Sequence, residues 1–167
     1  PQAGTDLSQI RTKAEKDGDK YRIHGTKIYI TYGDHDLAEN IIHMVLARIQ
    51  GSPEGNRGIS LFVVPKFLVN KDESLGAKND LKVVSLEHKL GIKASPTAVM
   101  SYGDNDGAEA YIVGKENHGI EYMFTMMNNA RLAVGLQGVA IAERAYQKAR
   151  IFALERKQSK CIGSTSK

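Results

Sequence analysis

The stretch Gly25-Thr26-Lys27-Ile28-Tyr29-Ile30-Thr31 has the composition of a β-strand, since Ile, Tyr and Thr supply most of its residues. Side chains two residues apart on a strand point to the same face, so Tyr29 and Thr31 are predicted to lie together. Their ring and hydroxyl could then meet one flat ligand. We expect this strand to form part of a binding site.

The sequence around this strand keeps the same character as far as about residue 113. Short runs rich in Ile, Val, Tyr and Thr alternate with turn signals such as Asp17-Gly18-Asp19. Such spacing predicts an antiparallel β-sandwich or barrel, with a polar loop over residues 70–80. The predicted strands are Ser8–Ala14, Lys20–His24, Thr26–Thr31, Asn40–Ile49, Gly58–Pro65, Lys82–Leu90, Thr97–Tyr102 and Ala108–Val113.

Residues from about 118 to 158 have a helical pattern instead. Residues 120–128 predict a short helix, Asn128-Asn129 a break, and the proline-free residues 130–158 a long helix. Between Leu132 and Ala142 the long helix is apolar on nearly every side, so it should be buried all round. Gly135 and Gly138 each cost roughly 1 kcal/mol of helix stability relative to alanine, which indicates close approach of a neighbouring backbone.

The β half could cover only one side of such a helix. Its other partners are therefore expected before residue 1, after residue 167 or in another subunit, and we expect the chain alone to self-associate. The predicted fold class is α+β: an antiparallel β-barrel or sandwich, then a short and a long helix from a truncated bundle. The predicted divisions are 1–115 for the β domain, 116–158 for the helical start and 159–167 for a polar tail.

Composition narrows the class of protein. The 167 residues are 41% hydrophobic and 25% charged, with a net charge of +4, as in ordinary soluble globular proteins. No basic stripe is interleaved with aromatics, so a nucleic-acid partner is not predicted. Cys161 is the only cysteine, which excludes an internal disulfide and favours a reducing compartment. The longest uncharged run is too short to span a membrane, and no signal peptide is visible.

Two other segments carry polar groups of interest. Gly4, Thr5 and Asp6 offer backbone N–H groups and a hydroxyl, which suit a phosphate or another anion. His35-Asp36 resembles a metal-binding pair, but no second pair has matching spacing, so a loop or packing role is predicted and no metal site.

Four motifs in order resemble the acyl-CoA dehydrogenases. The opening residues 1–6, Pro-Gln-Ala-Gly-Thr-Asp, resemble the end of that family's Thr-Glu-Pro-x-x-Gly-Ser/Thr-Asp signature. Residues 25–31 resemble its Gly-x-Lys-x-Trp/Tyr-Ile-Thr strand. Val113-Gly114 ahead of Gly119 resembles its turn into the C-terminal helices, and residues 130–156 resemble its long helix. Residues 87–91 and 124–131 resemble the bacterial branch that includes methylthiopropionyl-CoA dehydrogenases.

The resemblance implies a flavoprotein of fatty acid metabolism whose middle domain covers FAD. It implies that Thr5 contacts the FAD pyrophosphate and lies near the substrate, that Tyr29 packs against the isoalloxazine, and that Thr31 hydrogen-bonds near flavin N5. On the helix, it implies that Asn128 and Arg131 lie near the CoA moiety. It further implies that Arg156 and Gln158 reach the FAD of a neighbouring subunit in a homodimer or homotetramer.

The reaction implied is α,β-dehydrogenation of an acyl-CoA, with hydride passing to flavin N5 and an electron-transferring flavoprotein as acceptor. A bacterial cytoplasm or a mitochondrial matrix is implied as the location. The catalytic Glu of most members lies past residue 167. A minority branch places it directly before the helix Arg, where this chain has Ala130, so no catalytic residue is assigned. The chain alone is expected to be inactive and to hold FAD weakly or not at all.

Other interpretations stay open. Tyr29 could be a packing residue of its strand, Thr31 a strand-end hydroxyl and Thr5 a turn cap. Arg131 could pair with a surface carboxylate, an interaction worth about 0–1 kcal/mol. The alternatives to a dehydrogenase are a flavin-dependent relative with another reaction and a non-catalytic β-rich interaction module with a helical oligomerisation arm.

Overall fold

The computed structural model describes residues 3–158 and residue 163. It contains nine strands, two single 3₁₀ turns at Leu7–Gln9 and Gly55–Gly58, and one helix, α1, at Gly119–Glu155. The strands are β1 (Lys13–Asp17), β2 (Lys20–Thr31), β3 (Ile42–Ile49), β4 (Ile59–Pro65), β5 (Phe67–Val69), β6 (Leu75–Lys78), β7 (Leu81–Leu86), β8 (Thr97–Tyr102) and β9 (Ala108–Ile112).

Five of the strands close into a barrel. The main sheet runs β1-β3-β4-β9-β2-β8-β7, and an additional β1–β2 pairing joins its first strand back to its fifth. Strands β8 and β7 extend from the barrel as a flap, while β5 and β6 form a separate hairpin. All the pairings are antiparallel except β1 with β3, where Lys13 lies opposite Arg48. The predicted barrel is confirmed, and this parallel pair is an addition to it.

The barrel interior holds the main apolar core. Tyr21, Phe62 and Met100 are buried there, and the rings of Tyr21 and Phe62 meet edge to face with centroids 5.0 Å apart. A second cluster of buried residues, built on Ile59 and Leu61, packs against the first turn of α1 through partly buried apolar side chains. The compact unit Pro1–Phe124 therefore includes both the barrel and the start of the helix.

Gly119, the first residue of α1, explains how closely that turn can approach the barrel. A Cβ at this position would lie 2.4 Å from the carbonyl carbon of Ser60, which is backbone and has little freedom to move. The neighbouring Asn117 donates its backbone N–H to the Ser60 hydroxyl at 2.8 Å. A side chain at 119 would therefore push the first turn away from β4.

Several predicted strand boundaries are wrong. The run Ser8–Ala14 is not a strand over most of its length, because Asp6 accepts the Ser8 N–H at 3.0 Å and starts the turn Leu7–Gln9. The two strands expected on either side of Gly25 are one strand, β2. The expected polar loop over 70–80 contains β6, which returns against β5 with Phe67 opposite Lys78.

The predicted helix break at Asn128-Asn129 is also wrong, because α1 runs unbroken from Gly119 to Glu155. Asn costs a helix only about 0.7 kcal/mol relative to Ala, and the flanking Met, Ala, Arg and Leu are good helix formers. The helix ends before Gln158, the predicted last residue. The α+β class is confirmed, with one helix where two were predicted.

The second compact unit, Thr125–Lys167, is dominated by the rest of α1. Every described side chain in it is exposed, including Leu132 at 75% and Leu136 at 68%. The described residues of this chain therefore do not bury Leu132–Ala142. Nothing lies within 4 Å of where a Cβ would stand on Gly135 or Gly138, so no backbone approaches them here either.

No helix among the described residues is long and apolar enough to cross a membrane. The predicted polar tail, 159–167, lies outside the described residues except for Gly163, as do Pro1 and Gln2 of the opening motif. The predicted division of the β domain from the helical part at residue 115 stays a prediction.

Candidate functional site

A β-bulge lies in the strand that the sequence singled out. Lys27 pairs with Met100 and Ile30 with Ala98, so Ile28 and Tyr29 together oppose the single residue between those partners. Tyr29 has a φ of 60°, in the left-handed region that side-chain-bearing residues adopt rarely. An extra residue of this kind bends a strand and redirects its side chains. The bulge therefore decides where Tyr29 and Thr31 point.

Tyr29 and Thr31 are both exposed, on either side of the inward-facing Ile30. Tyr29 is 68% exposed, Thr31 is exposed, and Ile30 packs against the barrel core. Both the ring and the hydroxyl are therefore open to a ligand. Their expected contact with a flavin stays a prediction.

Backbone strain is concentrated around this strand end. Tyr32, with a φ of 51°, donates its N–H to the Pro96 carbonyl at 3.0 Å, and its hydroxyl donates to Ala94 at 3.3 Å. Ile92, in the loop that Tyr32 contacts, has a φ of 50°. Non-glycine residues with such φ values cost of order 1–3 kcal/mol each and cluster at functional sites. The strain marks this end of β2 independently of the motif.

The opening segment lies beside the same strand. A cavity of about 320 Å³ is lined by Ala3 and by Gly25–Ile28 of β2, among others. Thr5 is exposed and precedes Asp6, whose pKa is lowered by hydrogen bonds from the Ser8 hydroxyl and N–H. The structure thus brings together the two segments that the sequence picked out, and Thr5 is open to a ligand.

Arg48 fixes the position of the opening segment. Its guanidinium donates to the carbonyl oxygens of Ser8 at 2.8 Å, Ile10 at 3.1 Å and Pro53 at 3.2 Å. A planar guanidinium presents donors in a rigid fork, so three carbonyls can be held at once. Arg48 lies on β3, which means that the barrel itself holds the residues after Thr5. No local sequence pattern indicates this role.

Lys27 is a second residue that sequence reasoning missed. Its side chain turns into the domain, where Nζ donates to the Leu46 carbonyl at 2.8 Å. Burial lowers the pKa of Lys27 to about 8. It lines the 320 Å³ cavity on one side and a second cavity, of about 370 Å³, on the other. The sequence signals for it are its place as the lysine of the pattern Gly-x-Lys-x-Trp/Tyr-Ile-Thr and its inward position on a strand.

The second cavity contains a buried polar pair. Nδ1 of His43 lies 2.6 Å from the Tyr102 hydroxyl, and Nε2 is buried without a hydrogen-bond partner among the described residues. Burial lowers the pKa of His43 and raises that of Tyr102, so both are uncharged at neutral pH. Thr31 lines the same cavity, which therefore reaches the predicted site.

The predicted helical residues belong to the second compact unit and are described by themselves. Asn128 and Arg131 are exposed and three residues apart on α1, a spacing that puts them on one side of the helix. Arg156 follows the helix, donates its N–H to Phe152 at 2.9 Å and sets its guanidinium 5.8 Å from the Phe152 ring. Gln158 is exposed beyond it.

The His35-Asp36 pair has local contacts. Nδ1 of His35 accepts the Leu37 N–H at 3.1 Å, and its ring meets Tyr32 edge to face at 5.6 Å. In the part of the chain that the structure describes, no group of three or more His, Cys, Asp or Glu side chains is arranged to hold a metal ion. A loop and packing role accounts for this histidine.

Comparisons with known proteins identify the family of the chain. The family model described as acyl-CoA dehydrogenase, middle domain, matches residues 1–104. The 3-methylmercaptopropionyl-CoA dehydrogenase of Ruegeria pomeroyi is 57% identical over 99% of the chain, which spans only 28% of that relative's length.

Solved structures match over a similar extent. A structure described as an FAD-dependent dehydrogenase matches with a TM-score of 0.76 and 26% identity, over 95% of this chain and 39% of that one. A glutaryl-coenzyme A dehydrogenase in complex with glutaryl-CoA matches with a TM-score of 0.73 and 28% identity, over 95% and 36%. The chain belongs to the acyl-CoA dehydrogenase family.

Proposed function

We propose that the natural protein carrying this chain is an FAD-dependent acyl-CoA dehydrogenase that introduces an α,β double bond into an acyl-CoA thioester. The observation that carries the proposal is the exposed pair Tyr29 and Thr31 at the strained end of β2. Membership of the acyl-CoA dehydrogenase family supports FAD as the planar group that this pair would contact. The 57% identity to a 3-methylmercaptopropionyl-CoA dehydrogenase makes a short thioether acyl-CoA the first substrate to test.

The residues of the β domain bind and orient. Tyr29 offers a ring 68% exposed, against which the isoalloxazine packs. The Thr31 hydroxyl donates a hydrogen bond near N5, and Thr5 with the N–H groups around it holds the pyrophosphate. When bound, FAD supplies the two-electron redox chemistry. These residues keep the reacting face fixed, and correct orientation alone can lower a barrier by several kcal/mol, about 7–11 at most.

The helical residues are proposed to serve the charged parts of the ligands. Arg131, with Asn128 beside it, meets the CoA moiety, where a guanidinium–phosphate contact is shorter and stronger than a neutral one. Arg156 and Gln158 reach the FAD of a neighbouring subunit. Such sharing requires a homodimer or homotetramer, and the exposed apolar side chains of Leu132–Ala142 supply a surface for one.

The proton-abstracting group is proposed to come from outside these 167 residues. Ala130 occupies the position directly before Arg131, where a minority of the family has its Glu. A carboxylate elsewhere in the natural protein must therefore remove the α-proton, a contribution of about 10²–10⁴-fold for a positioned base. An electron-transferring flavoprotein is the proposed acceptor, and a bacterial cytoplasm or mitochondrial matrix the proposed location.

The test uses the natural full-length protein. We expect a yellow preparation with one FAD per chain that reduces an artificial electron acceptor when given 3-methylmercaptopropionyl-CoA or butyryl-CoA. Thr31→Ala should lower kcat by about tenfold through loss of one hydrogen bond near N5, with flavin still bound. Thr97→Ala, on the strand partner of Thr31, is the matched control and should retain activity. A colourless protein that shows no absorbance change on addition of FAD would contradict the proposal.

A second candidate, a non-catalytic interaction module, is favoured by one observation. The helix is exposed from Phe124 to its end at Glu155, as an oligomerisation arm would be before it meets its partner. The same flavin titration separates the two functions. A flavinated protein without acyl-CoA turnover would instead indicate a flavin-dependent relative with another reaction.

A further inference from the structure

The side chain of Lys27 occupies the last paired position before the bulge. Its strand partner Met100 is fully buried, so the Lys27 side chain faces the domain interior, as does that of Ile30 after the bulge. Nζ reaches the Leu46 carbonyl on β3 at 2.8 Å. In the closed barrel only β1 lies between β2 and β3, and it pairs with β3 at Arg48 and Ile49, so this hydrogen bond joins β2 to β3 beyond the paired part of β1. It is a link that the ladder does not provide.

We propose that Lys27 is a positioning residue: its ammonium, bound to the Leu46 carbonyl, holds the bulge in the shape that presents Tyr29 and Thr31 to the flavin. The proposal rests on the function proposed above. Lys27 does not touch the reacting atoms in it. It acts on the backbone, two residues ahead of Tyr29.

The bulge needs such a link because the ladder is interrupted there. Ile28 and Tyr29 share one opposing residue, so the pairing that normally fixes a strand residue is incomplete. Tyr29 is also held at a φ of 60°, a conformation that persists only when its surroundings over-determine it. The pairs Lys27–Met100 and Ile30–Ala98 bracket the bulge. The hydrogen bond from Lys27 to the Leu46 carbonyl restricts the first of these pairs, and core packing of Ile30 restricts the second.

The chemistry of the side chain supports a specific role. An ammonium drawn from water is costly unless it is paired, and a methionine would fill similar space without that cost. No ion pair joins Lys27 to a carboxylate within residues 3–158, and the Leu46 carbonyl is the one hydrogen-bond partner recorded for it there. Packing alone therefore does not explain a lysine at this position, whereas a fixed donor that joins β2 to β3 does.

The experiment compares Lys27→Met with Lys82→Met in the natural full-length protein. Lys82 is an exposed lysine on β7 that pairs with Asp104 at 2.8 Å, so its replacement makes the same chemical change away from the bulge. We expect Lys27→Met to bind FAD but to show a shifted visible absorbance band and a kcat lower by about tenfold or more, with KM changed much less. Hydrogen exchange should accelerate in peptides covering residues 25–32 and stay unchanged in those covering β4.

Each outcome decides a different question. A wild-type protein without flavin overturns the proposed function and leaves the structural part to hydrogen exchange. A flavinated wild type with Lys27→Met indistinguishable from Lys82→Met in spectrum, kcat and exchange overturns the role of Lys27. If Lys27→Met does not fold, Lys27→Gln replaces it, because its amide is polar but too short to reach Leu46. An unshifted spectrum and wild-type kcat in that variant would equally overturn the proposal.

Discussion

The barrel and the long helix differ in the exposure of their apolar side chains. Phe62 and Ile59 of the barrel are 0% exposed, whereas Leu132 and Leu136 of the helix are 75% and 68% exposed. Amino-acid composition does not explain this difference in exposure, since both regions contain long apolar runs. The barrel has an apolar core made of its own residues, and the described helix beyond Phe124 has none. Apolar content therefore indicates burial but not where the partner lies.

The helical region also lacks the features that stabilise a helix by itself. It contains Gly135 and Gly138 in its interior, each with open space around it, and most helical stability in proteins comes from packing of an apolar face. An exposed apolar surface that exceeds a few hundred Å² marks an interaction site. We infer that the apolar surface of the helix is covered by contacts with other protein segments, while the barrel already has a buried core of its own.

The largest expected contrast is in unfolding free energy. Phe62→Ala removes a ring packed 5.0 Å from Tyr21 and should lower the stability of the barrel by about 3–5 kcal/mol. Leu136→Ala should change the free energy of unfolding of the 167-residue chain by no more than about 0.5 kcal/mol, because its side chain is exposed. Urea unfolding at low protein concentration measures both. Equal losses in the two variants would show that the helix is packed within the chain after all.

An intermediate effect is expected on association. Replacing Leu132 and Leu136 with Lys should weaken self-association of the 167-residue chain by about tenfold or more, since two apolar contacts become buried charges. Sedimentation at several concentrations measures this, and Arg144→Lys, which preserves charge on the same helix, is the control. A wild-type chain that stays monomeric at high concentration would remove the basis of the comparison.

The smallest effect should change sign with context. Gly138→Ala should raise helix stability by up to about 1 kcal/mol in the 167-residue chain, where the site is open. In the natural full-length protein the same change should weaken assembly if another backbone approaches position 138. Circular dichroism on the short chain and sedimentation on the long one give the two signs. A stabilised assembly would mean that the glycine has no packing role there.

Sequence reasoning predicted most of the β-strands because alternation and turn signals are local properties. It placed Tyr29 and Thr31 on one side of a strand, and both are exposed in the structure. It missed the bulge at Ile28 and Tyr29, since a tyrosine at a φ of 60° has no local signature. It also missed the parallel contact of β1 with β3, which depends on barrel closure.

The remaining errors have the same origin. The break predicted at Asn128-Asn129 relied on a local preference that neighbouring helix formers outweigh. Lys27 and Arg48 were not identified because their roles depend on carbonyl groups far away in the sequence, at Leu46 for one and at Ser8 and Ile10 for the other. Long-range hydrogen bonds to backbone leave no periodicity to detect.

The hydrogen bonds from Arg48 to the opening segment have a consequence for protein engineering. Because the Arg48 side chain, some forty residues downstream, holds the backbone of Ser8 and Ile10, that segment cannot be transferred to another protein by itself. A chimaera that exchanges residues 3–12 between homologous scaffolds must keep an arginine at the matching point of β3. Without that arginine, the exchanged segment would keep its sequence but adopt a different backbone conformation.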